Sequence, residues 1–173
     1  AVADALLKDV GLHDRRRGQI STYSRGMRQR LGIARALVNE PQVVSTNGYR
    51  NGDHAPGLRD AAAASATTHH LLLGHGLAVR ALRQAGAAEV GITLDMHPVR
   101  VVGDSAQAEL ERGRLITDAA ANGIYLGPVL HGRYPDDMRV HMARFCDLSF
   151  LADGDEAIMN APIDVLGVNF YQP

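Results

Sequence analysis

The chain has 173 residues, of which 46% are hydrophobic and 21% charged, and its 18 Lys and Arg against 19 Asp and Glu give a net charge of −1. This composition is typical of a soluble globular protein of one domain and excludes an intrinsically disordered chain. No apolar run approaches the ~18–20 residues that span a bilayer, and no signal peptide opens the chain, so we expect a cytoplasmic protein without a membrane partner.

Basic residues are concentrated near the start of the chain. Residues 1–41 carry eight Lys or Arg against four acids, whereas the remaining residues carry a net charge of −5. A basic block of this kind either contacts phosphate groups or forms a solvated helix face. We favour the solvated face and expect no nucleic-acid partner, because no aromatic residues interleave with the arginines as a stacking platform would need.

The first 41 residues are predicted to form a helical segment. Residues 2–10 have the pattern of a short helix that ends at Gly11, which is suited to a C-terminal cap. A second helix is predicted to begin after Ser24, a good N-cap, and to stop at Pro41, whose ring cannot continue it. The apolar positions of this helix are Met27, Leu31, Ala34 and Val38, spaced as one helix face requires.

Residues 23–41, Tyr-Ser-Arg-Gly-Met-Arg-Gln-Arg-Leu-Gly-Ile-Ala-Arg-Ala-Leu-Val-Asn-Glu-Pro, resemble the signature-motif helix of the ATP-binding cassette ATPases. The resemblance implies that Ser24 and Gly26 bind a nucleotide γ-phosphate at a helix N-terminus. However, the chain contains no G-x-x-x-x-G-K-[ST] phosphate loop, and residues 42–48 do not form the family's strand ending in Asp-Glu. We therefore expect no autonomous ATP hydrolysis, and a helix that only packs is the favoured alternative.

After Pro41 the pattern changes to helices alternating with short apolar strands. Residues 48–57 are rich in glycine and proline and are predicted to be a loop. Asp60 is expected to cap a helix over residues 61–85 that ends at Gly86, and residues 90–94 form a predicted buried strand. The predicted core positions of this helix are Leu72, Ala78, Val79 and Leu82.

The last third of the chain repeats this alternation. A helix is predicted over residues 104–121, with Ala108, Leu115 and Ala119 facing the core and Asn122-Gly123 ending it. An irregular segment then leads to a helix over residues 136–146 and a buried strand over residues 163–169. Strands separated by helices predict a parallel sheet.

Six motifs after residue 38 occur in a fixed order. They are Asn39-Glu-Pro, Gly52-Asp-His-Ala-Pro-Gly57, His69-His-Leu-Leu-Leu-Gly-His-Gly-Leu-Ala-Val79, Gly91-Ile-Thr-Leu94, Gly132-Arg-Tyr-Pro135 and Gly167-Val-Asn-Phe-Tyr171. This series resembles the family-one glycoside hydrolases, which are mostly β-glucosidases. The resemblance implies an α/β fold, a partial (β/α) TIM-barrel-like fragment over residues 42–173, preceded by the helical segment of residues 1–41.

The resemblance also implies a retaining hydrolysis of β-glucosides or small oligosaccharides, which needs two carboxylates and no cofactor. Glu40 matches the acid/base residue and Asn39 the residue that holds a sugar hydroxyl. Tyr171 matches the tyrosine that donates to the nucleophile, and Asn169 and His54 are further candidate substrate contacts. The nucleophile of the family would lie beyond Pro173, so we expect weak turnover of aryl β-glucosides at most.

Several alternatives remain open at this point. Glu40 is also the ordinary end of a cassette-type helix, and the chain is alternatively a non-catalytic, self-associating half-barrel. Asp95 and Phe170 stand where the glycosidase family usually has asparagine and tyrosine.

The histidines and the cysteine are predicted to be structural. No histidine pair has metal-ligand spacing, so His69, His70 and His75 are expected to pack and to form hydrogen bonds. The single Cys146 cannot form an internal disulfide and is expected to be buried.

Overall fold

The computed structural model of the chain describes residues 11–18, 22, 24, 27, 41–102 and 107–170. Five helices are labelled here: α1 (Val43–Arg50, wound as a π-helix), α2 (Ala61–Gln84), α3 (Gln107–Asp118), α4 (Asp136–Met142) and α5 (Asp155–Met159). The two strands are β1 (Gly91–Asp95) and β2 (Val165–Asn169). Three short helical turns continue α3, namely Ala119–Gly123, Ile124–Leu126 and Gly127–His131, and a 3₁₀ turn spans His13–Arg15.

Helix α2 has the termini that the sequence predicts. The carboxylate of Asp60 accepts hydrogen bonds from the N–H groups of Ala62 and Ala63 at 2.8 and 3.0 Å, which satisfies two donors that the first turn leaves unpaired. At the other end Gly86 adopts a φ of +89°, which is typical of a residue that follows a helix. The prediction for this helix is confirmed.

The two strands pair in parallel, as predicted, but the predicted burial of the second strand is wrong, because Val165 and Val168 are 51% and 58% exposed. The register joins Gly91 to Val165 at one end and Asp95 to Asn169 at the other. Before the strands begin, Asp164 accepts a hydrogen bond from the Val90 N–H at 2.8 Å and pairs with Arg83 of α2. This contact fixes the start of both strands against the end of α2.

The core lies between the sheet and the helices. Its fully buried members come from every layer: Leu72 of α2, Leu94 of β1, Tyr134, Met142 of α4 and Met159 of α5. Of the four core positions predicted on α2, Leu72, Ala78 and Val79 are buried and Leu82 is partly buried against Val79, Val90 and Ala161. The periodicity of α2 therefore identified the face that packs.

The helix that begins at Gln107 does not end at Asn122-Gly123, so that prediction is wrong. Helical turns continue to His131, and Gly132 ends them with a φ of +67°. Gly127 is needed for close packing, because a Cβ there would lie 2.7 Å from the Arg133 carbonyl oxygen. Pro128 is tolerated because it occupies a first-turn position, where its missing N–H is not required.

The predicted loop over residues 48–57 also begins too early. Helix α1 includes Gly48 and ends at Arg50, and the loop covers residues 51–60. Pro41 is itself helical in the structure, and the helix continues beyond it through α1. Because residues 41–50 are all helical, the predicted stop at Pro41 is not observed. The helix predicted before Pro41 lies outside the described residues, apart from its start near Ser24.

Four smaller predictions are corrected. Ala108 and Leu115 are exposed, whereas Ala119 packs partly against the core. The helix predicted over residues 136–146 ends at Met142, and α5 was not predicted. Cys146 is half-buried, and its Sγ–H donates to the Met142 carbonyl at 3.3 Å.

None of the described helices combines the length and apolar character needed to cross a bilayer.

Candidate functional site

The carboxyl ends of β1 and β2 place two polar side chains next to each other. Asp95 and Asn169 are register partners on adjacent parallel strands, so they point to the same face of the sheet. The Met96 N–H donates to the Asn169 carbonyl at 2.9 Å, which extends the pairing to the last residues of both strands. In barrels of parallel strands this end of the sheet carries the active site.

A cleft of about 410 Å³ opens beside the end of β1. Its walls are α1, the residues that follow β1 and the helical turns after α3. Most of the residues that line it have polar side chains, and they include Gln42, Asn47, Arg50, Asn51, Asp95 and His97. A cleft of this size and polarity suits a small ligand with many hydrogen-bonding groups.

Asp95 and His97 are in contact in the wall of this cleft. The Asp95 side chain is only 11% exposed, and its Oδ2 lies 3.0 Å from the Nε2 of His97. The main chain of His97 is held by Asn122, whose Oδ1 accepts from the His97 N–H at 3.0 Å and whose Nδ2 donates to the His97 carbonyl at 2.7 Å. Asn122 also donates to Asp118 at 2.6 Å, so the His97 backbone is fixed from the helical side.

The segment at the start of α1 is fixed to two other parts of the chain. The Nε2 of Gln42 donates to the Asp95 carbonyl at 3.0 Å, across 53 residues of sequence. The hydroxyl of Ser45 donates to the Pro41 carbonyl at 2.8 Å and lies 2.9 Å from the Tyr125 hydroxyl. All three side chains are buried. These contacts attach residues 41–45 to both the sheet and the helical turns that line the cleft.

The structure describes only some of the predicted site residues. Glu40, Asn39, Tyr171 and Gly26 lie outside the described residues. Asn169 lies at the carboxyl end of β2, as predicted, and is half-buried. His54 is exposed in the loop after α1, where its N–H donates to the Asn47 carbonyl at 3.0 Å. Neither Asn169 nor His54 lines the cleft.

Ser24 has the role that the sequence predicts for a helix start. Its hydroxyl accepts a hydrogen bond from the Met27 N–H at 3.2 Å, which is the N-cap geometry. Helix capping is therefore sufficient to explain a serine at this position.

The three histidines of α2 have different environments. His69 is fully buried, with its Nδ1 3.2 Å from the Tyr134 hydroxyl and its Nε2 2.9 Å from Asp155. Burial lowers the pKa of His69 although Asp155 opposes that effect, so the ring is neutral, donating to Asp155 and accepting from Tyr134. Burial likewise raises the pKa of Tyr134. This network joins α2 to α5 and to the segment before α4.

The predicted hydrogen bonding is found for His70 but not for His75. His70 is exposed and its Nδ1 lies 2.7 Å from the Ala66 carbonyl, so it forms the expected hydrogen bond without being buried. His75 is buried, and neither ring nitrogen has a hydrogen-bond partner among the described residues, which contradicts the expected hydrogen bonding. Burial lowers the pKa of His75 to about 4.

Within the described ranges, no three His, Cys, Asp or Glu side chains converge as metal ligands would. The sequence did not predict Gln42, His97, Asn122 or Tyr125 as site residues. Position after a predicted strand was a usable signal for His97 only, because the other three depend on contacts between distant segments.

Comparison with known proteins identifies related sequences and structures. The family described as Glycosyl hydrolase family 1 matches residues 16–173. This match begins well before Asn39 and so includes all of residues 23–41, the segment that resembles the cassette signature helix. That a cassette-type segment is fused to the glycosidase-like one is therefore not shown.

Two curated relatives are β-glucosidases by name. The chain is 38% identical to thermostable beta-glucosidase B of Thermobispora bispora over 156 residues, covering 88% of this chain and 31% of the relative. It is 35% identical to the bifunctional beta-D-glucosidase/beta-D-fucosidase of Bifidobacterium breve over 134 residues, covering 78% and 28% respectively. The chain thus spans less than a third of the length of these relatives.

Comparison with solved structures also finds similarity to part of a β-glucosidase. The psychrophilic beta-glucosidase BglU from Micrococcus antarcticus superposes with a TM-score of 0.72 at 41% identity, covering 77% of this chain and 28% of that chain. The described α/β arrangement therefore corresponds to part of a larger enzyme fold.

Proposed function

Because this chain belongs to glycosyl hydrolase family 1, we propose that it carries the acid/base side of a retaining β-glucosidase site. In this proposal Glu40 protonates the departing oxygen and later activates water, and Asn39 holds a sugar hydroxyl. Asn169 and Tyr171, at the end of β2 and just after it, contact the sugar and the second carboxylate, and His54 contacts the leaving group. The substrate is a β-glucoside or a small β-linked oligosaccharide.

One observation supports this proposal most directly, namely the polar cleft at the carboxyl end of β1. Gln42, only two residues after Glu40, lines this cleft and is fixed to the Asp95 carbonyl. The acid/base candidate therefore directly precedes a segment that is attached to the strand end where parallel barrels place their chemistry. The names of the relatives support β-glucosides as the substrate class.

Ligand binding tests the substrate class without requiring turnover. We expect 4-nitrophenyl 1-thio-β-D-glucoside, which resists hydrolysis, to bind the chain saturably in isothermal titration calorimetry. The α-anomer of this thioglucoside is the matched control, because its aglycone leaves the sugar ring in a different direction. It should bind at least about tenfold more weakly, which corresponds to about 1.4 kcal/mol or more in binding free energy. Equal binding of both anomers, or binding of neither, contradicts the proposal.

Kinetics test the role of Glu40. In a chimera where residues 39–170 replace the matched segment of BglU, Glu40→Gln should slow hydrolysis of phenyl β-glucoside by roughly 10²–10⁴-fold, the usual contribution of a general acid. Hydrolysis of 2,4-dinitrophenyl β-glucoside should slow much less at the glycosylation step, because that leaving group departs without a proton. An equal loss for both substrates contradicts an acid role for Glu40.

Self-association is a second candidate, favoured by the apolar surface of β2 and the residue after it. Val165, Val168 and Phe170 are 51%, 58% and 53% exposed. Sedimentation equilibrium over a range of concentrations tests it, and a monomer throughout would exclude it. Nucleotide binding by Ser24 and Gly26 stays a prediction, which calorimetry with magnesium-ATP on the unmodified chain and on Gly26→Asp tests.

A further inference from the structure

We infer that Asn51 is a site of covalent modification, at which the folded chain deamidates spontaneously. The sequence contains three asparagines that are directly followed by glycine, namely Asn47, Asn51 and Asn122. All three pairs have the sequence that favours the reaction, because glycine has no Cβ to obstruct the attacking nitrogen. The structure separates them by the hydrogen bonds that hold the reacting groups. The inference does not depend on the proposed hydrolase activity.

The reaction is a cyclisation followed by a hydrolysis. The main-chain nitrogen of Gly52 attacks the Cγ of Asn51 and forms a new C–N bond, while the bond between Cγ and Nδ2 breaks. The Nδ2 group leaves as ammonia, together with the proton that the attacking nitrogen gives up. Water then opens the five-membered imide at one of its two carbonyl carbons and leaves aspartate or isoaspartate. The chain thus exchanges one amide for one carboxylate and consumes only water.

The peptide group between Asn51 and Gly52 is able to rotate. Neither the Asn51 carbonyl nor the Gly52 N–H has a hydrogen-bond partner among the described residues. The ψ of Asn51 is −29°, and the peptide group must turn from there until its nitrogen faces Cγ. A change in φ at Gly52, now +75°, compensates for this rotation, because glycine adopts many values of φ at little cost. The loop from Asp53 onward therefore keeps its hydrogen bonds.

The side chain of Asn51 is also unrestrained. Asn51 is exposed directly after α1, and its amide forms no hydrogen bond to the described residues. Its Cγ can therefore turn toward the Gly52 nitrogen, and water has access to the imide. Because Asn51 lies in the wall of the cleft beside β1, the reaction introduces a negative charge there.

Asn47 is protected by the hydrogen bonds of its carbonyl. This carbonyl accepts from the N–H groups of Asp53 and His54 at 2.8 and 3.0 Å. The carbonyl and the nitrogen of Gly48 belong to one planar peptide group, so the nitrogen cannot turn toward the Asn47 side chain without breaking both bonds. Gly48 is also buried inside α1, which limits the access of water.

Asn122 is protected by the hydrogen bonds of its side chain. Its Nδ2 donates to the His97 carbonyl at 2.7 Å and to the Asp118 carboxylate at 2.6 Å, and its Oδ1 accepts from the His97 N–H at 3.0 Å. The residue is only 9% exposed. Its Cγ cannot approach the Gly123 nitrogen unless these three bonds break.

Mass spectrometry of tryptic peptides tests the inference on the unmodified 173-residue chain. The chain is incubated at mildly alkaline pH, which helps the attacking nitrogen to lose its proton. Trypsin cleaves after Arg50 and Arg114, so the three asparagine–glycine pairs lie in three different peptides. We expect the peptide that begins at Asn51 to exchange an amide for a carboxyl group first and to give two isomers. It should react at least about tenfold faster than the other two, which corresponds to a barrier lower by roughly 1.4 kcal/mol.

Two controls separate the structure from the sequence. In urea that unfolds the chain, the three pairs should react at similar rates, because the protecting hydrogen bonds are lost. Asn51→Gln is the matched variant, since it retains an amide but cyclises more slowly to a six-membered ring. Isoelectric focusing of the folded, unmodified chain should show a species one charge more negative, and this species should accumulate much more slowly in Asn51→Gln.

Three results would overturn the inference. The first is that Asn47 or Asn122 reacts as fast as Asn51 in the folded chain. The second is that the same order of rates persists in urea, because the tertiary structure then does not set it. The third is that Asn51 stays unmodified in the folded chain while all three pairs react in urea, which would show that the loop protects it. None of these results bears on the binding of β-glucosides.

Discussion

The packing of α5 on α2 leads to a prediction in which one substitution has opposite effects at two nearby positions. Gly74 and Gly76 both lie inside α2, but only Gly76 faces α5. A Cβ at Gly76 would lie 1.9 Å from the Ile158 carbonyl oxygen and 3.0 Å from the Met159 Cα. A Cβ at Gly74 would meet no atom within 4 Å.

The expected magnitudes follow from these distances. Alanine is more favourable than glycine inside a helix by about 1 kcal/mol, so Gly74→Ala should raise the free energy of unfolding by roughly that amount. Gly76→Ala gains the same propensity but forces the α5 backbone to move by more than an ångström. Overpacking costs about 1–3 kcal/mol, and the fully buried contacts of Met159 and the His69–Asp155 bond are disturbed as well. We therefore expect a net loss of roughly 2 kcal/mol.

Urea denaturation followed by far-ultraviolet circular dichroism measures both variants against the unmodified chain. The transition midpoint should rise for Gly74→Ala and fall for Gly76→Ala, with the slope unchanged. If both midpoints move in the same direction, α5 does not pack on α2 as described. Gly74→Ala is also the control for the helix propensity, because it differs only in what the new methyl group meets.

Two further predictions concern stability against pH and the wall of the cleft. Burial lowers the pKa of His75 to about 4 in the folded chain, so on acidification the unfolded chain binds the proton first. The free energy of unfolding should therefore fall between about pH 6.5 and pH 4, by up to roughly 3 kcal/mol. His75→Leu should reduce this pH dependence and stabilise the chain at pH 5, because the His75 ring forms no hydrogen bond that would be lost. If urea titrations show the same pH dependence for His75→Leu as for the unmodified chain, the role of His75 is wrong. Asn122→Ala removes two hydrogen bonds to the His97 backbone and should destabilise the chain by about 1–3 kcal/mol. The His97 amide should also lose its protection from hydrogen exchange. Retained protection would show that the Asn122 side chain does not hold the His97 backbone.

Those parts of the fold that depend on local pattern were predicted well. Asp60, the periodic apolar face of α2 and Gly86 identify a helix with its start, packing side and end, and all three are confirmed. The short β-branched runs identify β1 and β2, and their alternation with helices predicts the parallel pairing that is observed. In each case, residues close in sequence determine the structure.

The region between Asn122 and His131 shows why other predictions failed. Glycine and proline there indicate an interruption, yet the chain stays helical because Gly127 allows a close approach to Arg133 and Pro128 sits in a first turn. The side chain of Asn122 is used for the His97 backbone, and so it does not end the helix. A local pattern cannot distinguish a glycine that ends a helix from one that lets two segments touch.

The candidate site also has one part that the sequence predicted and one part that depends on contacts between distant segments. The motif order identified the family, and the comparisons confirm membership in glycosyl hydrolase family 1. The positions of Glu40, Asn39 and Tyr171 stay predictions. By contrast, the cleft and its Asp95–His97 pair depend on Gln42, Asn122 and Tyr125, which lie far from Asp95 in sequence.

The sequence by itself determined the family, the α2 helix with both its ends, and the two parallel strands, because these depend on residue order and on period. Only the tertiary structure decided which polar side chains share a cleft. The cleft forms where α1, the end of β1 and the turns after α3 meet, and the hydrogen bonds that join them span between 25 and 80 residues. The close approach of backbones at Gly76 and Gly127 is likewise a property of the packed chain, since a glycine has no side chain to signal which surface will cover it.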